Sequence, residues 1–225
     1  AMKLQSDLLA TYEANQDAGS YELTPAAVGR RALKNLCLWY LAAGGTDGAR
    51  TRVRTQYARG ENMTDTLAAL RLLVDDGGAA ADEALAAFYD RWSADPLVLD
   101  KWFSIQATSV RPETLLRVAV LLVHPAYDSR NPNRVRSLVG AFCAGNPVRF
   151  HSADGAGYRF LADRVLEQDP QNPQIASRLL QSLARWRRYD PGRQGLMRGE
   201  LERVLAAPEL SKDSYEVASK CLQAV

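Results

Sequence analysis

A chain of 225 residues with 28 basic and 26 acidic side chains, a net charge of +2, 47% hydrophobic and 24% charged residues has an ordinary globular composition. That balance excludes a disordered polyelectrolyte, gives no general electrostatic case for nucleic acid, and allows one large or two small domains that bury roughly 70% of the unfolded surface. Apolar runs such as Val118 to Val123 fall far short of the ~20 residues of a membrane span, and no charged-then-apolar start resembles a signal peptide, so a cytoplasmic protein is expected.

Ala1 before Met2 reads as a tag remnant, and a first helix is expected over about 3–14. Thr24-Pro25 then places a capping hydroxyl ahead of a proline suited to a first helical turn. The same signal recurs at Asp95-Pro96, Asn131-Pro132, Asn146-Pro147, Asn172-Pro173 and Asp190-Pro191. After Thr24 the residues Val28, Leu33, Leu36, Cys37, Tyr40 and Leu41 form an apolar stripe expected to face a core. Helices follow over about 47–59, 63–74, 79–92, 97–107 and 113–123, with Gly44-Gly45 and Gly77-Gly78 as turns. Val135, Leu138, Val139 and Phe142 form a second stripe, and Ile175, Leu179, Leu183 and Trp186 a third. Between them His151 to Gly157 reads as a glycine-containing loop, and helices are expected over about 157–168, 192–206 and 212–224. Helices of this length, joined by short turns and lacking a heptad repeat, predict an all-α fold: a superhelical α-solenoid of stacked antiparallel helix pairs, armadillo/HEAT-like.

Catalytic signatures are sparse. Asp75-Asp76 and Asp82-Glu83 suit a solvated turn and a first helical turn, no serine sits in a Gly-x-Ser-x-Gly elbow, and the glycine loop lacks dinucleotide-binding spacing. Cys37, Cys143 and Cys221 are scattered through apolar patterns and are expected to be reduced; His124 and His151 have no metal-ligand spacing. The tryptophans Trp39, Trp92, Trp102 and Trp186 are expected in helix–helix packing, and His124 at a helix end. His151, in its loop, is a candidate for contact with a ligand or partner.

Two arginine-bearing helix starts stand out. In "NPNRVRSLVGAF" Arg134 and Arg136 lie beside the positive end of a helix dipole, which favours a solvated face or a site for something anionic. In "NPQIASRLL" Gln174 and Arg178 are four apart and share a face, while Ile175 and Leu179 share a buried one. If the two helices stack as solenoid neighbours, Arg136, Gln174 and Arg178 line one concave surface.

Those two stretches, with "ALKNLCLWYL" (Ala32–Leu41), "NMTDTLAAL" (Asn62–Leu70), "DKWFSIQATS" (Asp100–Ser109), "HSADGAGYRFL" (His151–Leu161) and "RYDPGRQ" (Arg188–Gln194), closely resemble the C-terminal helical domain of bacterial aminopeptidase N, a zinc metallopeptidase family. The resemblance runs from about Val28 almost to the end. It implies that residues 1–225 are a single C-terminal helical domain of a larger enzyme that removes N-terminal residues from peptides, with the catalytic domain absent. This domain would close the active-site cavity and control peptide access. The implied partners are the protein's own catalytic domain and a peptide substrate, with no nucleic acid and no membrane. Arg136, Gln174 and Arg178 would line the substrate cavity and meet the distal side of the peptide. Asn131, Asn133, Arg134 and His151 would shape loop or interdomain contacts. The chain contains no His-Glu-x-x-His and no Gly-x-Met-Glu-Asn, so no cofactor is expected within it: zinc would belong to the parent catalytic domain, and the chain alone would be inactive. The alternatives are a helical-repeat module that binds nucleic acid, best supported by Arg185-Trp186-Arg187-Arg188, or a protein scaffold.

Overall fold

The computed structural model describes residues 4–17 and 19–223. Ala1, Met2 and the outer ends of the first and last expected helices lie outside the described residues. Every regular element among the described residues is helical. The chain divides into two compact units, Ala1–Asp90 and Arg91–Val225.

The first unit comprises α1 (Gln5–Ala14), α2 (Pro25–Ala43), α3 (Asp47–Arg59), α4 (Met63–Asp76) and α5 (Ala79–Trp92) as far as Asp90. Helix α2 packs against α1, α3 and α4, and α3 pairs with α4. The second unit carries α6 (Pro96–Ala107), α7 (Thr114–Leu121), α8 (Pro132–Val135), a π-helical turn over Arg136–Gly140, α9 (Ala141–Gly145), α10 (Pro147–Phe150), α11 (Ala156–Gln168), α12 (Pro173–Leu180), α13 (Pro191–Leu205) and α14 (Lys212–Gln223). In it, α6 packs on the π-helical turn, and α11, α12, α13 and α14 stack on one another around Leu161, Val165, Leu180, Met197, Leu201 and Ala218.

All six proline-marked starts are real. Thr24, Asp95, Asn131, Asn146, Asn172 and Asp190 each accept a first-turn backbone N–H with the side-chain oxygen. Each cap satisfies amides that the helix itself leaves unpaired, and proline forfeits nothing at the position it occupies. The second and third stripes also hold: Val135, Leu138, Val139, Phe142, Ile175, Leu179, Leu183 and Trp186 are all buried.

The first stripe does not. On α2, Cys37 and Leu41 are buried, but Val28, Leu33, Leu36 and Tyr40 are exposed, and so is Trp39, which was expected in helix packing. The inward face of α2 instead presents Ala27, Arg31, Lys34, Leu38 and Leu41. Apolar periodicity alone selected the wrong face because two charged side chains are buried with partners. Arg31 bonds Asp17 Oδ2 at 3.2 Å and the Glu22 carbonyl at 2.7 Å, under the ring of Tyr21. The glycine loop is also shorter than expected: α11 begins at Ala156, so Gly157 lies in its first turn, and Gly155, at φ +68°, makes the left-handed step into it.

Candidate functional site

The sequence motifs meet in pairs. In the first unit "ALKN" of α2 meets "NMTD" at the start of α4. Lys34 Nζ sits 2.6 Å from Asp65 Oδ2, and both side chains are almost entirely buried. Asn35 Nδ2 donates to Asp65 Oδ1 at 2.8 Å and Asn62 Nδ2 to Oδ2 at 2.8 Å. Gln56 of α3 donates to Asn35 Oδ1 and to the Asp65 carbonyl, and Tyr12 of α1 donates to Gln56 Oε1. A buried charge pair is tolerated when its remaining donors and acceptors are met, and here four helices meet them. Sequence reasoning passed over Lys34 and Asp65. The available signal was Lys34 in register with Ala27, Leu38 and Leu41, together with an Asn-x-x-Asp helix start.

In the second unit "DKWFS" meets "NRVRS". Asp100 Oδ1 accepts from Arg134 Nη1 at 2.6 Å and from Ser137 Oγ at 3.1 Å, while Ser104 Oγ donates to the Ser137 carbonyl. Arg134 is buried, with its guanidinium 5.1 Å from the centre of the Phe103 ring. It ties α8 to α6 and is not directed to solvent.

The third pair joins "HSADGAGY" to "RYDPGR". His151 Nδ1 lies 2.9 Å from the Tyr158 hydroxyl and Nε2 lies 2.8 Å from the Tyr189 hydroxyl, with the imidazole stacked on Tyr189 at 4.2 Å. Arg193, held by Asp190, donates to the His151 carbonyl at 2.7 Å. Both ring nitrogens of His151 are thus engaged inside the unit. Burial, and then the positive charge of Arg193, lower the pKa of His151, and burial raises the Tyr158 phenol to about 12. A neutral imidazole donates at one nitrogen and accepts at the other, and protonation makes both nitrogens donors, so the tyrosine hydroxyl that donates must turn to accept. Because the folded pKa lies below the unfolded value near ~6.5, this contribution is complete above ~6.5 and is lost as pH falls through the folded pKa. His124, whose pKa burial also lowers, adds a slope of the same sign. Urea midpoints should therefore drop between pH 7.5 and pH 5, with a shallower drop in His151→Gln; an unchanged slope in that variant would remove His151 from the account.

His124 is at a helix end as expected, but its Nδ1 accepts from the Ala126 amide at 3.1 Å. Cys37, Cys143 and Cys221 are free and buried, and burial pushes all three thiols up.

The remaining candidates are more exposed. Asn131 Oδ1 caps α8 at the Asn133 and Arg134 amides. Arg136 is exposed at the start of the π-helical turn, where Nε donates to the Pro132 carbonyl at 3.2 Å and Nη2 to Asn133 Oδ1 at 2.5 Å. Gln174 and Arg178 share the exposed face of α12 next to the face of buried Ile175 and Leu179, as their spacing required. Among the described residues the Arg178 guanidinium has no hydrogen-bond or ion-pair partner.

A polar cavity of ≈ 220 Å³ lies in the second unit, and Arg136, Gln174 and Arg178 are not among its lining residues. It is lined by Val135, Val139 and Leu179 together with Tyr127, Arg164, Glu167 and Gln168. Among the described residues no group of three or more His, Cys, Asp or Glu side chains could hold a metal ion, and no helix is long and apolar enough to cross a membrane. In the Arg185–Arg188 cluster, Arg187 donates to the Cys221 and Leu222 carbonyls at the end of α14, which occupies it internally.

A family profile described as a domain of unknown function (DUF3458_C) with ARM repeats matches residues 1–223. The chain belongs to that family. DUF3458_C relatives include the aminopeptidase N of Caulobacter vibrioides, 45% identical over 91% of this chain and 24% of that protein. The aminopeptidase N of Escherichia coli is 42% identical over 99% of this chain and 25% of that protein. The crystal structure of Legionella pneumophila aminopeptidase A in complex with aspartic acid aligns with a TM-score of 0.91 and 33% identity, over 100% of this chain and 27% of that one. These matches bear out the recognition of the C-terminal helical domain of bacterial aminopeptidase N and the all-α solenoid class. The DUF3458_C chain spans about a quarter of the length of these relatives.

Proposed function

We propose that residues 1–225 act as the C-terminal helical domain of a cytoplasmic zinc-dependent aminopeptidase that removes N-terminal residues from peptides. The domain closes the active-site cavity against its own catalytic domain and limits peptide access. It has no catalytic role alone, and neither nucleic acid nor membrane is its partner. Zinc belongs, on this reading, to the catalytic domain, because the described residues here supply no ligand set.

The observation that carries the site assignment is Arg178, exposed beside Gln174 and without an internal partner among the described residues. A guanidinium presents forked N–H donors that suit a peptide carbonyl or terminal carboxylate, and enclosure by a second domain strengthens such bonds. Arg136 keeps Nη1 for the same task, because the Pro132 carbonyl takes its Nε–H and Asn133 takes only one N–H of Nη2. Asn131, Asn133, Arg134 and His151 support the loops that meet the catalytic domain.

Arg178→Ala in the full-length parent is expected to lower kcat/KM for long peptides about tenfold, the loss of one charge-assisted hydrogen bond, and to leave a single-residue chromogenic substrate nearly unchanged. The isolated chain, freed of host peptidases, serves as the blank and should cleave neither substrate. Equal losses on both substrates would reject the distal-contact role.

A further inference from the structure

Helix α2 presents to solvent a face with the composition of a core. With successive residues ~100° apart, Val28, Ala32, Leu33, Leu36, Trp39 and Tyr40 fall within an arc of about 140°. Val28, Leu33, Leu36, Trp39 and Tyr40 are 48%, 43%, 50%, 48% and 43% exposed, and Ala32 and Gly29 among them are exposed as well. The Trp39 and Tyr40 rings meet edge to face at 4.9 Å, so the two aromatics form one surface.

A helix in a stacked array whose outer face has no neighbour ordinarily turns a polar face outward. Helix α14 does so: Lys212, Asp213, Glu216 and Lys220 are exposed, with Lys220 bonded to Glu216. Helix α2 shows the opposite pattern, and a contiguous apolar patch of this kind marks a surface that has a partner.

We propose that this face of α2 seats a helix from the part of the parent polypeptide lying outside this chain. The proposal rests on the reading above that the chain is one domain of a larger aminopeptidase. The relatives are about four times as long as the chain, which supplies the occupant. Stacked repeats bury their faces against neighbouring helices, which gives its kind. A stripe of this length matches the row by which one helix packs on another, and Gly29, with open space where a Cβ would stand, lets the second backbone approach closely.

Leu36→Cys tests the proposal, because the native cysteines are buried and give little background. A charged maleimide should label Leu36→Cys quickly in the isolated chain and at least tenfold more slowly in the full-length parent. A photoreactive cross-linker attached there in the parent should join α2 to a helical segment outside this chain. Equal labelling rates would overturn the proposal. So would protection with cross-links only to a second copy or to a non-helical segment. If circular dichroism shows that Leu36→Cys is unfolded, Tyr40→Cys carries the same measurement. Labelling does not read activity, so failure here and failure of the Arg178 assignment are separate results.

Discussion

Gly157→Ala should destabilise the second unit by about 3 kcal/mol or more, because added volume in a tight site that cannot yield costs ~1–3 kcal/mol even when side chains can move. A Cβ at Gly157 would stand 2.3 Å from the Phe150 carbonyl oxygen and 2.9 Å from the Phe150 carbonyl carbon and Cα. Those atoms are backbone. Phe150 is fully buried, and Asn146 pins the start of α10 by donating to the Ala107 and Ser109 carbonyls at 3.0 and 2.7 Å. Relief would have to come from shifting α11 off α10, which would also disturb the His151–Tyr158 contact. Gly195→Ala is the control of opposite sign: Gly195 lies within α13 with nothing near its added Cβ, so the substitution should stabilise by up to ~1 kcal/mol. Urea denaturation of both variants checks the pair, and a loss below ~1 kcal/mol at Gly157 would show that the close approach is relieved.

Lys34→Met should cost about 3–5 kcal/mol, the range for removing one partner of a buried ion pair. Methionine keeps the stem of the side chain but leaves the Asp65 carboxylate supported only by Asn35 and Asn62. Asp65→Asn should be of similar severity, because it leaves an ammonium buried against a neutral amide. The double variant should cost less than the two single losses together, since neither unpaired charge then remains. Against a typical total stability of 5–15 kcal/mol, either single change threatens the fold. Denaturation midpoints for the three variants decide the matter: strict additivity would mean that the surrounding amides, and not the ion pair, hold the four helices together.

Both expectations explain why the family-like motifs could be read from sequence while their roles could not. "ALKN" and "NMTD", or "DKWFS" and "NRVRS", stand out because each depends on a distant partner for its charges. Arg134 shows the consequence. Beside Arg136 in a helix start it looks like a second surface cation, but it is buried on Asp100, more than thirty residues earlier. His151 looks like a loop residue open to partners, but it is enclosed by Tyr158 and Tyr189. Spacing correctly put Gln174 and Arg178 on the outward face of α12, because faces within one helix depend only on its turn.

Short-range chemistry was therefore decided by the sequence itself: the helices, their six capped starts, the all-α class and the two later apolar stripes all follow from contacts spanning a few residues. The choice of which face of α2 to bury, the pairing of Lys34 with Asp65 and of Arg134 with Asp100, and the backbone contact that requires glycine at 157 came only with tertiary structure. Each depends on atoms brought together by chain folding. A charged side chain becomes a core residue only when its counter-charge arrives from another helix, and no local pattern contains that event.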